Sequence, residues 1–429
     1  MEPISPMPGD GPGLEPEKSR GPFSSLFNAS MFQSLRFRDF RWLWLSTFAS
    51  FMAVGMQMIT RGWLVLRLSN DSPFALSIIM VSFALPMTVM SLVGGALADR
   101  MSRKHIIMAC QTITALFTAL LATLDMSGLI RFWHLIAIGM VNGTLVAINM
   151  PSRQALISDI IPADRLMNAI SLNNSGSNIT RTIGPALAGL LIIYIDTWGV
   201  FYVISVFYVF SMLCAAMIRD VEGPSNLERK GMTREIREGI RYLLGEPRLR
   251  GLVITLFMPV FFGFSFLTLL PAWAREALDV QSDELGLLMM VMGIGSILGT
   301  LILAAIQNLP RRGMALLVNG FLWGIFLAVF SRSTSYSATL PLLFFIGLLT
   351  AIFMSLNMTL MQMYSAPDMR GRIMSFGMMT FGAMPLSALP FGALAEKIGT
   401  PNALCISGIM LALFSLVFTI ASPGFRKID

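Results

Sequence analysis

The chain has 429 residues, of which 55% are hydrophobic and 13% are charged, with a formal net charge of +7. A soluble domain of this length needs far more charge to cover its surface, so the composition excludes a soluble enzyme or binding protein. The apolar residues form long blocks, and many reach the roughly 20 residues that a helix needs to cross a bilayer. The sequence therefore predicts an all-α polytopic membrane protein.

Twelve apolar blocks predict twelve transmembrane helices, which one long connection divides into two halves of six. The predicted spans are 42–66, 74–98, 106–124, 132–150, 168–194, 198–218, 251–271, 285–306, 313–331, 337–358, 373–395 and 402–421. The N-terminal segment is rich in Pro, Gly and Ser and lacks the apolar stretch of a cleavable signal peptide, which predicts a disordered tail. The predicted organisation is a cytoplasmic tail at 1–35, an N-terminal half at 36–218, a cytoplasmic linker at 219–250, a C-terminal half at 251–421 and a second cytoplasmic tail at 422–429.

The distribution of basic residues orients the predicted spans. With the N-terminus in the cytoplasm, 24 of the 31 Lys and Arg residues, Arg153 among them, lie in cytoplasmic segments. Five lie on the opposite side: Arg67, Arg131, Arg275, Arg332 and Lys397. By the positive-inside rule this split predicts that both termini are cytoplasmic, and it accounts for the net charge without a nucleic-acid partner.

The linker carries apolar residues at helical spacing, namely Ile236, Ile240, Leu243 and Leu244, after a potential N-cap at Thr233. This pattern predicts a surface helix that lies along the cytoplasmic face. The alternative is a charged linker helix with no specific role.

The two halves resemble each other weakly. The link at 95–104 has a decayed counterpart at 303–312, in which amides replace Asp-Arg while the basic pair survives. Asn149 and Gln154 parallel Asn357 and Gln362 at a constant offset of 208. A pair of parallel six-helix repeats predicts a binding site between the halves near the bilayer midplane.

The link between spans 2 and 3 is the most specific motif in the chain. It contains Gly95, Asp99, Arg100, Arg103 and Lys104. This order resembles the signature loop of the major facilitator superfamily, although Ser102 stands where the family often has Gly. The resemblance implies a major facilitator fold and a role for these five residues in conformational change. The alternative is a generic positively charged turn.

A second motif in span 5 contains Gly184, Pro185 and Gly189 and resembles the Gly-Pro motif of major facilitator antiporters. The full motif carries glycines where this chain has Ser171, Thr180 and Ala188; these are also small, so close helix packing survives. The resemblance implies a closely packed stretch that seals the two halves against each other.

Together with 151–156, Pro162 and 367–375, these motifs resemble the transmembrane secretion effector branch, which contains the enterobactin exporter and macrolide-efflux-like proteins. The resemblance covers about residues 36–421. It implies a monomeric secondary transporter of the bacterial inner membrane that exports a siderophore- or macrolide-like molecule by alternating access. It also implies antiport driven by a proton gradient, with no cofactor.

The charged residues within the predicted spans limit the substrate. Every acidic residue falls in a tail, a loop or the last turn of a span, so no carboxylate is predicted at mid-membrane. Cation exporters usually need one, and the chain therefore favours a neutral or anionic substrate. Two basic residues, Arg61 and Arg181, lie inside spans and should face a cavity or a partner.

Helical spacing groups the polar residues of the spans into candidate cavity faces. Asn174, Asn178 and Arg181 share one face of span 5, and Gln57 and Arg61 share one face of span 1. The predicted cavity residues are Gln57, Arg61, Asn142, Asn149, Asn174, Asn178, Arg181 and Asn357. The alternatives are that Arg181 binds backbone carbonyls or Asn side chains structurally, and that Arg61 extends outward to the interface.

Other functions remain as alternatives. An importer or uniporter of a small metabolite would have the same architecture, whereas a membrane enzyme would need a polar catalytic cluster and a sensor would need a sizeable soluble domain. The sequence has no Walker-type nucleotide loop, and its three cysteines and two histidines lack metal-ligand spacing. The sequence therefore predicts neither catalysis nor a metal site.

Overall fold

The computed structural model describes residues 29–98, 101–162, 165–219, 240–306, 310–366, 369, 373 and 384–427. Its helices are α1 (Arg38–Leu68), α2 (Pro73–Ala98), α3 (Arg103–Met126), α4 (Phe132–Ile160), α5 (Leu166–Ala216), α6 (Pro247–Met258), α7 (Ser265–Leu278), α8 (Ser282–Ala305), α9 (Arg312–Ser331), α10 (Tyr336–Tyr364), α11 (Met384–Ile398) and α12 (Thr400–Ala421). The described residues contain no strand. The predicted all-α class is therefore confirmed.

Ten of the described helical segments are long and apolar enough to cross a membrane. Because a bilayer offers no hydrogen-bond partners, each spanning segment must satisfy its backbone internally, which an α-helix does. The 51-residue α5 is long enough to cross twice, and it is broken at Asp196, where φ is 54° and ψ is 179°. A π-helical turn, Pro259–Gly263, joins α6 and α7 into one distorted span. The ten segments are compatible with the predicted twelve spans.

Several predicted boundaries differ from the structure. Residues 29–35 belong to a 3₁₀ helix, Ala29–Arg36, rather than to a disordered tail, because Ser34 is buried and its hydroxyl donates to Asn168 of α5 at 2.6 Å. Helix α6 begins at Pro247, four residues before the predicted start of the C-terminal half at 251. Span 4 is too short, since α4 continues to Ile160.

Residues 240–245 of the predicted surface helix are helical, whereas 233–239 lie outside the described residues. The Tyr242 hydroxyl accepts a hydrogen bond from the backbone N–H of Ala366 at 3.1 Å. The described part of this helix therefore contacts the end of the C-terminal half.

Glycines allow close helix packing inside each half. In the N-terminal half, Gly55 of α1 lies against the backbone of Thr180 and Gly184 on α5. In the C-terminal half, Gly324 of α9 packs against Gly408 of α12, and Gly347 of α10 packs against Met292 of α8. Small residues let backbones approach closely, and dispersion contacts then stabilise helices that gain no hydrophobic energy from lipid.

We call the side of the bundle on which α1 begins the inner side, and the other the outer side. An ion-paired cluster ties the N-terminal half together on the outer side. The Arg67 guanidinium contacts the carboxylates of Asp125 and Asp196, and the hydroxyl of Thr197 also donates to Asp125. These contacts place the break in α5 beside the ends of α1 and α3.

Candidate functional site

The first arm of α5 presents a polar face to solvent. Asn174, Asn178 and Arg181 are exposed and, as predicted, follow one another at helical spacing. Arg181 lies about 22 Å along the helix from Leu166 and a similar distance from the break at Asp196. The residue is exposed although it lies midway along this arm of the helix. This face is therefore at mid-depth in the bundle.

The neighbours of α5 show that this polar face lies between the two halves. On one flank, Gly176 and Gly184 pack against α1. On the other flank, Thr182 meets Gly293 of α8 in the C-terminal half. At 100° per residue, Asn174, Asn178 and Arg181 fall between these two contact directions. The polar face therefore lies beside the junction of the two halves.

A second exposed face of α5 is apolar and points the other way. It consists of Ile179, Ile183, Leu190 and Tyr194. This face lies on the far side of the α8 contact, where lipid would be its solvent. The separation of a polar and an apolar exposed face on one helix distinguishes a cavity wall from a lipid surface.

Helix α1 lies at the centre of the bundle and adds to the same wall. Two-thirds of its spanning window are buried, a share that only the Pro247–Leu278 span equals among the described spans. Val54 and Met58 are nevertheless 40% and 44% exposed. Because the helix is otherwise enclosed, these two positions line internal space.

The predicted pair of Gln57 and Arg61 flanks that exposed strip. Gln57 is buried, and its Oε1 accepts a hydrogen bond from the Tyr208 hydroxyl at 3.4 Å. The Arg61 guanidinium carbon lies 5.9 Å from the centre of the Phe83 ring. Two buried donors, Gln57 Nε2 and Arg61 Nη2, have no hydrogen-bond partner in the structure. Unpaired donors of this kind are expected where a ligand or water binds.

The C-terminal half contributes an apolar wall through α6 and the π-helical turn. Ile254, Phe257 and Phe261 are each just under 40% exposed, and the Phe257 and Phe261 rings stack at 6.1 Å. The remaining sides of this span contact α9, α10, α11 and α12 through Trp323, Asn357, Phe391 and Phe414. The accessible strip therefore faces away from its own half.

Arg153 was predicted to lie in a cytoplasmic segment beyond the end of span 4, whereas the structure buries it within a longer helix. The longer α4 carries this residue into the interior of the N-terminal half, where it is 5% exposed. Its guanidinium donates to Ser46, Thr47 and Ser211 at 2.9–3.2 Å. It thus holds α1, α4 and the second arm of α5 together. Predicted span 4 ends at residue 150, just before Pro151, whereas the helix continues through this proline.

The three other predicted cavity residues are placed differently. Asn149 is partly exposed, and its side-chain oxygen accepts a hydrogen bond from Arg153 at 3.2 Å. Asn142 is 2% exposed, and neither of its amide atoms has a partner in the structure. Asn357 is fully buried and donates to Leu252 and Thr255 of α6 at 3.1 Å, so it braces the C-terminal half and does not line accessible space.

The predicted conformational loop is only partly described. Gly95 lies near the end of α2, whereas Asp99 and Arg100 lie outside the described residues. Arg103 forms an ion pair with Asp159 of α4 and donates to the Ala155 carbonyl at 3.3 Å. Lys104 follows in the first turn of α3. The basic part of this loop is thus attached to the inner end of α4.

The Gly-Pro motif of α5 packs across the junction of the halves. The Gly189 carbonyl accepts a hydrogen bond from the Ser282 hydroxyl of α8 at 3.1 Å. One turn deeper, Gly286 of α8 lies against the backbone of Pro185, and Gly184 of the motif packs against Gly55 within its own half. These contacts lie at the outer end of α8, which begins at Ser282.

A second pair of helices meets at the same outer level. The Ser77 hydroxyl of α2 donates to the Ala388 carbonyl of α11 at 2.8 Å, and Gly392 packs against Ser77. Within the described residues, these contacts between the halves all lie between the outer ends of the helices and mid-depth.

Charged groups connect the halves at the outer rim. Arg275 of α7 forms an ion pair with Asp71 at 2.9 Å, and its guanidinium carbon lies 5.2 Å from the Trp63 ring centre. The Ser72 hydroxyl donates to Glu396 of α11 at 2.8 Å. Clefts of about 480 and 600 Å³ flank Arg275. No local sequence pattern predicts these pairings, because the partners lie about 200 or more residues apart in the chain.

Comparisons with known proteins agree with this architecture. The family model described as "Transmembrane secretion effector" matches residues 29–426. The staphyloferrin A transporter of Staphylococcus aureus is 26% identical, with 88% of this chain and 95% of that protein covered. The enterobactin exporter of Shigella flexneri is 25% identical, with 78% and 79% covered.

A solved structure shows the same fold. The bacterial homologue of the human lysosomal transporter Spinster, inward-facing and unoccupied, superimposes with a TM-score of 0.73 at 14% identity, covering 92% of this chain and 99% of that one. The family and its relatives are membrane transporters rather than enzymes. The chain therefore belongs to the transmembrane secretion effector family of the major facilitator superfamily, whose members export small organic molecules as secondary transporters.

Proposed function

We propose that this protein exports a neutral or anionic small organic molecule from the bacterial cytoplasm across the inner membrane. The observation that carries the proposal is the accessible polar face of Asn174, Asn178 and Arg181, which lies between the contacts of α5 with α1 and with α8. The staphyloferrin A and enterobactin relatives support a siderophore-like substrate. The basic residues of the inner side support cytoplasmic termini.

The mechanism in this proposal is alternating access between the halves 36–218 and 251–421, which the linker 219–250 connects. The outer contacts of α5 with α8 and of α2 with α11 hold an outer-closed state. Export requires these contacts to open after substrate binds from the inner side. Asp99 and Arg100 of the signature loop then stabilise the alternate closure, and a proton gradient drives antiport by a monomer.

Transport by purified protein tests this function. The full-length chain would be reconstituted into liposomes, and uptake of labelled siderophores and macrolides would be followed under an imposed pH gradient. We expect one class of solute to accumulate in a gradient-dependent manner. A preparation that moves no solute in either direction, although folded and inserted, would contradict the proposed function; movement only toward the cytoplasmic side would favour the importer alternative.

The conformational role of the signature loop has its own test. Asp99→Asn removes one charge and leaves the side chain almost the same size. We expect normal membrane abundance with at least a roughly tenfold lower transport rate, because about 1.4 kcal/mol of lost stabilisation of one state changes a population tenfold. Unchanged transport at normal abundance would refute this role.

A further inference from the structure

The two walls of the internal space differ in chemistry. The N-terminal wall carries Arg181, Asn174 and Asn178 on α5, whereas the C-terminal wall carries the stacked rings of Phe257 and Phe261. In the proposed transport function, a molecule that binds between the halves contacts both walls. The walls therefore specify a ligand with one polar end and one apolar end.

The charge of the polar wall is positive and has no counterion among the residues that the structure describes. Arg181 forms no ion pair or hydrogen bond in the structure, and Arg61 on α1 forms no ion pair. In the described spans, the acidic side chains lie in the first or last turns or at the break in α5, and those of Asp125, Asp159 and Asp196 already pair with Arg67 or Arg103. An arginine at membrane depth without a counterion is unfavourable unless water or an anion reaches it.

The unpaired buried groups beside the cavity require acceptor atoms. Gln57 Nε2 and Arg61 Nη2 are both donors, and they lie one helical turn apart on α1. Only an oxygen or nitrogen acceptor can satisfy them, and a guanidinium binds carboxylate or phenolate oxygens through parallel hydrogen bonds. A cationic ligand would leave both donors unpaired and would be repelled by both arginines.

The aromatic strip requires an apolar body. Phe257 and Phe261 lie on either side of the start of the π-helical turn at Pro259, where the Phe264 N–H bonds back to the Pro259 carbonyl at 2.7 Å. Such π-helical turns are often found at functional sites, and this one shifts the angular positions of the residues that follow it. Exposed rings inside the bundle gain stabilisation when an apolar or aromatic group covers them.

We infer that the transported molecule is an amphipathic organic anion, bound through its acidic oxygens by Arg181 and Arg61 and through its apolar body by Phe257 and Phe261. This inference rests on the proposed transport function and specifies its substrate class. The anion binds when the two walls are accessible from the inner side, and its transfer across the bilayer requires the outer contacts of α5 and α8 to separate.

Binding of three probes that share one ring system tests this inference. The probes are 1-naphthoate, 1-naphthamide and 1-naphthylmethylammonium, with acetate as an anion that lacks the apolar body. Affinities would be measured for the purified full-length protein in lipid nanodiscs. We expect 1-naphthoate to bind best, with acetate and the ammonium compound at least about tenfold weaker.

Variants assign that preference to the two walls. Arg181→Gln should weaken 1-naphthoate binding at least about tenfold and leave the affinity for 1-naphthamide nearly unchanged. Phe257→Ala should weaken the binding of both probes. The matched controls are Arg332→Gln, which removes one positive charge outside the spans, and Phe210→Ala, which removes an exposed ring from the second arm of α5. Both controls should bind like the wild type.

The outcomes separate the inference from the proposed function. Equal or tighter binding of the ammonium probe, no 1-naphthoate binding, or wild-type binding by Arg181→Gln would overturn the anion assignment. Transport of a neutral or cationic solute by that same preparation would leave the transporter function standing. Failure to transport any solute would contradict the proposed function itself.

Discussion

The Ser282 hydroxyl of α8 donates a hydrogen bond to the Gly189 carbonyl of α5 at 3.1 Å, which joins the two halves at the outer side of the bundle. A methyl group on Gly189 would overlap the Ser282 carbonyl oxygen, so only glycine permits this approach. One turn deeper, Gly286 contacts the backbone of Pro185 and Ala186. The glycines therefore set how closely α5 and α8 can approach.

Gly189→Ala should weaken the outer closure. The added methyl group has to displace backbone atoms of α8, and overpacking of this kind costs about 1–3 kcal/mol. We expect roughly tenfold lower transport and greater access to the cavity from outside. Gly245→Ala is the matched control, because no atom lies within 4 Å of a Cβ at that position. Wild-type transport by Gly189→Ala would show that the approach is not required.

Arg275→Ala should open the outer rim. The substitution removes the ion pair with Asp71 and the stacking on Trp63, both of which connect the halves. With the native cysteines replaced, Met58→Cys would report access to the cavity by an impermeant maleimide applied from outside. We expect labelling to rise roughly several-fold. The double variant Asp71→Arg with Arg275→Asp, which reverses the ion pair, should bring labelling partly back toward the wild-type level. Arg332→Ala should have no effect, and unchanged labelling in Arg275→Ala would exclude this pair as a gate.

Arg181→Ala should abolish transport without destabilising the protein. Arg181 has no hydrogen-bond or ion-pair partner in the structure, so its removal breaks no contact and relieves an unneutralised charge. Arg181→Lys should retain part of the activity, because an ammonium keeps the charge but not the planar pair of donors. Transport and thermal unfolding in detergent would be measured together. A misfolded Arg181→Ala protein would show that the residue is structural.

Arg153→Ala, unlike Arg181→Ala, should destabilise the protein. Its loss leaves buried hydroxyl groups of Ser46, Thr47 and Ser211 without their donor, and we expect the free energy of unfolding to fall by about 2–4 kcal/mol. Arg41→Ala is the control, since Arg41 is an exposed arginine near the inner end of α1. Stability equal to that of the control would contradict a bracing role. The pair Arg153 and Arg181 thus separates a structural from a functional arginine.

The sequence by itself determined the helices and the faces that each helix can present. Long apolar blocks must form helices in a bilayer, because no other local structure satisfies their backbone groups. Helical periodicity alone put Asn174, Asn178 and Arg181 on one face, and the structure shows that face exposed. The resemblance of the two motifs to the family could also be recognised from the sequence, because each motif is a continuous stretch of chain.

The tertiary structure decided which faces meet. By sequence, Arg153 was placed in a cytoplasmic segment and Asn357 in the cavity. In the structure, Arg153 is buried against α1 and α5, and Asn357 is buried against α6. The outer pairing of Arg275 with Asp71 joins residues 204 positions apart, which no local pattern predicts. Periodicity fixes directions around one helix axis, whereas contacts depend on the relative placement of helices that are distant in the chain. That placement, set by close approach at Gly55, Gly189 and Gly286, determines which buried polar groups of the described residues have a hydrogen-bond partner and which have none.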